Sequence, residues 1–404
     1  MQKRQIAYRK YIQISLFYLL IVAIIGTVLR SVAFFNIPFE YANLVHAHSH
    51  VAFQGWVYTA IFLIITSLYI SPEKVENGRY LLQFKLTVLI LIGVLVSFTL
   101  YGYGLYSIIS STLFQILNYW FIYRFFKDVK TSSPRQLDLL LVKTGLGLGL
   151  LSSFFPYFIG FVSAKGYAGS ELYKSLVYSF MHLQYNGWFL FIIIGLFYKL
   201  LDLNQITYTY SLALKFYKYY IAAVIPAISL SLLGMSFSNF LIIPAYLAVA
   251  FSAMGLLFFM KSFSMKDLAK KTKQNPWFPY FILLFIVGFI LKVCLQTLSI
   301  IPGLNAYAFF NKLIFLAYLH LSLIGVISFL LIAVIIHLKW IPINSISKVG
   351  FTLLILGFLV TELVLTLGGF SWSSTQVPLF AGSAAMAVGI LLLNFSLILN
   401  HSRD

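Results

Sequence analysis

Apolar runs of about 20 residues follow one another from end to end of this 404-residue chain, with only short polar breaks between them. A run of that length is what a helix needs to cross a bilayer. With 61% hydrophobic and 9% charged residues, the chain has too little polar surface to close as a water-soluble globule. Inside a bilayer only helices and closed barrels satisfy every backbone N–H and C=O. A barrel alternates in segments of about 10 residues, whereas stretches such as Leu176 to Tyr198 and Leu313 to His337 are apolar on nearly every face. The expected fold is an all-α integral membrane protein, one polytopic membrane domain over residues 1–404.

The hydropathy pattern predicts twelve spans, at about residues 12–35, 45–70, 83–103, 105–125, 138–163, 175–199, 217–235, 238–260, 277–299, 311–338, 349–369 and 377–400. Positive charge concentrates on cytoplasmic loops. With both termini placed inside, 23 of the 28 lysines and arginines fall in inner segments. Only Arg30, Lys165, Lys174, Lys292 and Lys312 fall in the outer halves. The net charge of +18 is thus a topology signal facing anionic lipid, and it gives no reason to expect a nucleic-acid partner.

Other classes are excluded by what the chain lacks. The basic N-terminus leads into an apolar run that continues past 20 residues without a small-residue cleavage pattern, so it reads as a first span and not as a secretory signal. The lone Cys294 has no internal disulfide partner. No Walker loop, dinucleotide fingerprint, Ser-His-Asp pattern or HExxH is present, and the polar insertions around residues 127–135 and 261–275 are too short to fold as soluble domains. A bacterial inner membrane is the expected location.

Six of the seven histidines lie inside or at the edge of apolar spans, and ionisable groups at membrane depth are costly and usually functional. The second span carries His46, His48 and His50 ahead of Gly55 and Trp56. The sixth carries His182 ahead of Gly187 and Trp188. The tenth carries Tyr318 and His320 ahead of Gly325 and Val326. His50, His182 and His320 each precede a glycine by five residues, on helices four apart in the chain. In the N-in orientation each lies about 5 to 9 residues below the outer end, in the outer half of the bilayer. A glycine there admits either a bulky flat group or a close neighbouring helix. On a helix His46 and His50 share one face, and His48 points nearly the other way. His337 and His401 sit at inner helix ends and read as interfacial.

These features resemble the catalytic subunit of the haem-copper oxidase and nitric oxide reductase superfamily. The likeness lies in twelve spans, cytoplasmic termini, a pseudo-threefold set of four-helix units, and outer histidines on the second, sixth and tenth helices. The segment from His48 to Trp56 is similar to the helix 10 haem-binding segment of the C-type oxidases. The resemblance implies a low-spin, bis-histidine b-type haem held by His50 and His320. His48 and His182 are then available for a second site holding copper, iron or zinc. The same family needs two histidines on the seventh helix for copper and a further one two positions before His320. The seventh span has none, and the other position is Tyr318, so a copper centre of that type cannot be assembled.

Neutral imidazoles are good axial ligands, and two of them saturate the iron for electron transfer. Arg30 at the outer end of the first span is placed to pair with a haem propionate, Tyr318, Trp56 and Trp188 to pack on a porphyrin. Gly145 with Gly149 fits a close-packing seam. The leading expectation is a haem-binding electron-transfer or gas-linked redox protein, supplied by a redox partner subunit or a quinol or cytochrome donor. Two other classes stay open: a transporter using His182, Lys292 and Glu362, and a histidine-only copper or zinc protein drawing on the second span.

Overall fold

The computed structural model describes residues 2–129, 136–272, 276–371 and 375–401. Lys130, Arg135, Lys273 and Arg403, counted among the inner charges, lie outside the described residues. The described part is helical, with an isolated bridge between Tyr208 and Phe263. The long helices are α1 (Gln2–Ser31), α2 (Tyr41–Tyr69), α3 (Tyr80–Tyr101), α4 (Leu105–Asp128), α5 (Leu137–Tyr167) and α6 (Glu171–Leu203). They continue as α7 (Tyr210–Val224), α8 (Ile242–Ser262), α9 (Trp277–Leu298), α10 (Lys312–His337), α11 (Ser345–Gly369) and α12 (Gln376–His401).

Among the described residues, ten helices are long and apolar enough to cross a membrane, so the protein is an integral membrane protein. The exceptions are α4 and α7, where the expected spans at 105–125 and 217–235 fall. At 24 residues α4 is long enough, but its Ser, Asn, Gln and Tyr side chains and Arg124 lower its hydropathy. At 15 residues α7 is short, because Pro226 ends the α-helical run after Val224 and a 3₁₀ turn over Pro226–Ser231 follows.

The chain forms two compact units. One comprises residues 1–130 and 334–404, the other residues 131–333. In the first, α11 and α12 form an antiparallel hairpin in which glycines face each other across the seam. A Cβ built on Gly350 would lie 2.8 Å from the Gly389 carbonyl oxygen, and one on Gly357 would lie 2.6 Å from that of Gly382. Lipid tails are as apolar as leucine, so helices associate by close van der Waals fit, which small residues permit. In the same unit Asn394 of α12 donates to the Leu16 carbonyl of α1 (3.2 Å).

The second unit uses the same device between α5 and α6. Gly149 accepts the Trp188 indole, which a Cβ would meet at 2.7 Å, while Gly145 abuts the Trp188 carbonyl and Gly195 the Asp138 carbonyl. The expected Gly145–Gly149 seam is therefore present. Trp188, expected against a porphyrin, instead lies on Gly149. An aromatic cluster of Phe197, Phe216, Tyr220, Phe259, Phe285 and Phe289 ties α6, α7, α8 and α9 together with centroid distances such as 5.3 and 5.4 Å.

Enclosure is uneven and follows the histidines. In α2, α6 and α10 the most apolar stretch is 72%, 83% and 78% buried, against 22–50% in the other spans. The three helices that carry intramembrane histidines are thus those most shielded from lipid.

The glycines of α5 give a direct test of the seam. Gly149→Val should destabilise the protein by about 1–3 kcal/mol through overpacking against Trp188. Gly147→Val, two residues away with nothing within 4 Å of its Cβ position, should stay within about 0.5 kcal/mol. Thermal unfolding in one detergent, followed for both variants, measures the contrast.

Candidate functional site

Each enclosed helix changes its winding immediately after its histidine. In α2 the α-helix runs Tyr41–His50, a π-helix covers Val51–Tyr58, and α-winding resumes at Thr59. In α6 the corresponding segments are Glu171–His182, Leu183–Phe189 and Leu190–Leu203. In α10 they are Lys312–His320, Leu321–Ser328 and Phe329–His337. π-Winding accounts for well under 1% of residues in proteins generally and concentrates at functional sites. Here it recurs in register at all three histidines, and a fourth π segment, Ser163–Tyr167 at the end of α5, follows no histidine. Side chains take up carbonyls of the widened turns: Thr59 Oγ1 donates to the Gly55 carbonyl, and Ser328 Oγ to that of Leu323 (2.8 Å).

The repeated glycines sit inside these π segments, and neighbouring helices approach them. A Cβ on Gly55 would meet the Tyr18 ring of α1 at 2.9 Å, and one on Gly187 would meet Leu148 of α5 at 3.3 Å. Gly325 has its carbonyl 3.0 Å from the Cβ position of Gly288 on α9. Of the two occupants left open by the sequence, the neighbouring helix is the one found at Gly55, Gly187 and Gly325.

In the first unit, α2 presents its histidines as the helical spacing predicts. His46 and His50 share a face on which the Tyr103 ring meets both, at centroid distances of 4.5 and 5.8 Å. His50 Nε2 is 3.1 Å from the Tyr103 hydroxyl, and the ring stacks on Phe98 at 3.9 Å. Tyr103 reaches this position because Gly102, at φ 55°, turns the chain between α3 and α4. One turn below His50, Gln54 Nε2 lies 3.5 Å from His50 Nδ1. His48, on the opposite face, packs against Gly26 of α1, and its Nδ1 donates to the Val22 carbonyl (3.0 Å). That bond puts the His48 lone pair on Nε2, the arrangement metal-ligating histidines commonly adopt. Arg30, in the last turn of α1, is half-buried beside Tyr41 and His48.

In the second unit, His182 belongs to a closed polar chain. Lys292 of α9, 1% exposed, donates to Asn186 Oδ1 and to Gln296 Oε1 (3.1 Å), and its ammonium faces the Tyr318 ring at 5.6 Å. Asn186 Nδ2 then donates to His182 Nδ1 (3.1 Å), and His182 Nε2–H donates to the Val224 carbonyl (3.1 Å). Val224 has that carbonyl to offer because of Pro226. In the 3₁₀ turn that follows, Ile228 N bonds the Ile225 carbonyl and not that of Val224. Every link runs in one direction, so the His182 tautomer is fixed. A cavity of about 10 Å³, room for about one water, lies beside the chain and is lined by His182, Asn186, Tyr220, Ser252 and Gln296 among others.

The expected second metal site does not fit this geometry at His182, because both ring nitrogens are engaged and no lone pair remains. Nor do His46, His48 and His50 converge for a histidine-only site. Among the described residues no three His, Cys, Asp or Glu side chains are grouped to hold a metal ion. His50 and His48 lie in the first unit, His182, Lys292 and His320 in the second, and Glu362 in the first.

Gln54 and Asn186 had no place in the sequence reading. Their signal was in the repeat itself, since both stand at the residue before the shared glycine and four after the histidine. The third repeat has Ile324 there. The chain matches no protein-family model and no curated protein.

The polar chain has a measurable signature. Asn186→Leu leaves a buried ammonium and a buried imidazole short of partners and should cost about 3–5 kcal/mol. Adding Lys292→Met should recover part of that loss, with a coupling above about 1 kcal/mol in a double-mutant cycle read by denaturant unfolding in micelles.

Proposed function

We propose that this protein binds haem within a twelve-span, N-in, C-in bundle whose three histidine helices are related by pseudo-threefold symmetry. The observation that carries the reading is the recurrence of a π-wound segment directly after His50, His182 and His320. A geometry this rare, repeated at three ionisable residues on the three most enclosed helices, is hard to account for by packing alone.

The donor chemistry at α2 fits an axial ligand. His50 Nε2 meets a phenol hydroxyl, which a metal can displace, and Gln54 Nε2 stands 3.5 Å from His50 Nδ1; ligation through Nε2 requires that amide to turn over so that its oxygen takes up Nδ1–H. His320, at the same point of its own repeat, is the second axial residue, and Arg30 is the cation available for a propionate. A haem held by two imidazoles supplies one-electron transfer from a coordinatively saturated iron. With His182 closed off by Asn186 and Val224, oxygen or nitric oxide reduction at a copper-bearing centre is not part of the reading. Electron transfer, with a quinol, cytochrome or partner subunit as donor in a bacterial inner membrane, is its functional content.

A second reading has its own support. The buried Lys292, Asn186 and His182 chain, with a water-sized cavity alongside, is the kind of intramembrane polar group that transporters use.

An absorption spectrum of detergent-purified protein, oxidised and dithionite-reduced, with iron, copper and zinc quantified on the same sample, separates the readings. About one iron per chain and a sharp six-coordinate b-type spectrum are expected. His50→Ala and His320→Ala should each abolish that spectrum while Lys292→Met leaves it in place. Haem-free protein after haem-replete expression, or an intact spectrum in both histidine variants, would sink the haem assignment.

A further inference from the structure

At one end of the first unit, the segment between α2 and α3 and the last turns of α4 enclose an open cavity of about 550 Å³. Its lining includes Lys74, Gly78, Trp120, Arg124, Lys127 and Asp128. Arg124 sits in its wall and is only 7% exposed. Its Nη1 donates to Gln83 Oε1 (2.9 Å), its Nη2 to the Gly78 carbonyl, and its guanidinium lies over the Tyr80 ring at 3.9 Å and the Trp120 ring at 5.1 Å. These partners are all neutral. Among the described residues no carboxylate stands within ion-pair distance of Arg124, and three of its five N–H donors remain uncommitted.

The backbone is arranged to hold that guanidinium. Arg79 adopts a left-handed conformation (φ 52°), which turns the chain into α3 beside the Gly78 carbonyl. Gly78 leaves room that a side chain would take, since a Cβ there would stand 2.6 Å from Arg124 Nη2. Two carboxylates line the opening: Asp128 is already matched by the Lys74 ammonium (3.8 Å) and the Tyr80 hydroxyl (2.8 Å), and Glu73 is exposed to solvent. Lys127 lines the same opening, and the exposed rings of Trp120 (42%) and Tyr123 (66%) flank it. Aromatic residues of this kind sit at headgroup level in membrane proteins.

A buried cation without a carboxylate is costly unless an anion completes it. We propose that this cavity binds a phosphate group, with Arg124 and Lys127 as its cationic partners and Trp120 and Tyr123 as the interfacial wall. The two sources of such a group are the phosphodiester of an anionic lipid headgroup and a phosphate free in solution. Basic pockets between helices at the positively charged side of a membrane protein suit the first, and the cavity volume suits either.

Native mass spectrometry of the full-length, delipidated protein, titrated separately with phosphatidylglycerol, phosphatidylcholine and inorganic phosphate, tests this. Lys127, at the rim, can be changed without disturbing the buried guanidinium, so Lys127→Gln keeps the fold. Phosphatidylglycerol should bind more tightly than phosphatidylcholine, and Lys127→Gln should weaken it about fivefold, the worth of one cation at an anionic surface. Arg124→Gln, where it folds, should weaken it further. Binding of inorganic phosphate that the same variants weaken, without a lipid preference, would assign the site to a soluble phosphate and uphold the chemistry. Equal binding of both lipids with no phosphate binding, or phosphatidylglycerol binding that Lys127→Gln leaves unchanged, overturns the proposal.

Discussion

A helix in hydrocarbon must satisfy each of its backbone carbonyls from within, because no water is there to do it. A departure from α-winding there is answered by a side chain, by a re-paired backbone group or by a neighbouring helix. Thr59 and Ser328 answer the widened turns of α2 and α10, and His182 answers the carbonyl that Pro226 leaves open on α7. The polar architecture of both units follows from where the backbone is allowed to be irregular. Three of those places lie in helices α2, α6 and α10, the ones most shielded from lipid; others lie at Pro226 after α7 and over Ser163–Tyr167 at the end of α5.

Around this constraint, glycine does two jobs. Between α11 and α12, and between α5 and α6, it brings backbones or an indole into direct contact and so supplies the dispersion that replaces a hydrophobic driving force. At Gly55, Gly187 and Gly325 it lets a neighbouring helix close on a π segment. The polar groups then lie in compartments sealed by close packing, and this is what allows Lys292 to be buried with only amide oxygens and a phenol ring for company.

Much of this was legible in the residues. Ten spans follow from hydropathy, and the opposite facing of His48 relative to His46 and His50 follows from helical spacing alone. The Gly145–Gly149 seam was readable from its four-residue interval. What escaped has physical reasons. The spans expected at 105–125 and 217–235 fall on α4, which is long but polar, and on α7, whose α-helical run stops before Pro226. π-Winding leaves no compositional mark, because it depends on which carbonyls the neighbours can satisfy. Asn186 looked like an ordinary polar residue in the sequence, since its importance comes from Lys292 more than 100 positions away.

Asn186 has one further consequence. Its amide gives its oxygen to Lys292 and its N–H to His182, so the two ends cannot be reassigned independently. An electrophile seeking the Nδ1 lone pair of His182 would have to displace the amide, and turning that amide over would set its N–H groups against an ammonium. The side chain acts as a latch with one orientation, and the chemical availability of the imidazole is held by the charge of a residue on another helix.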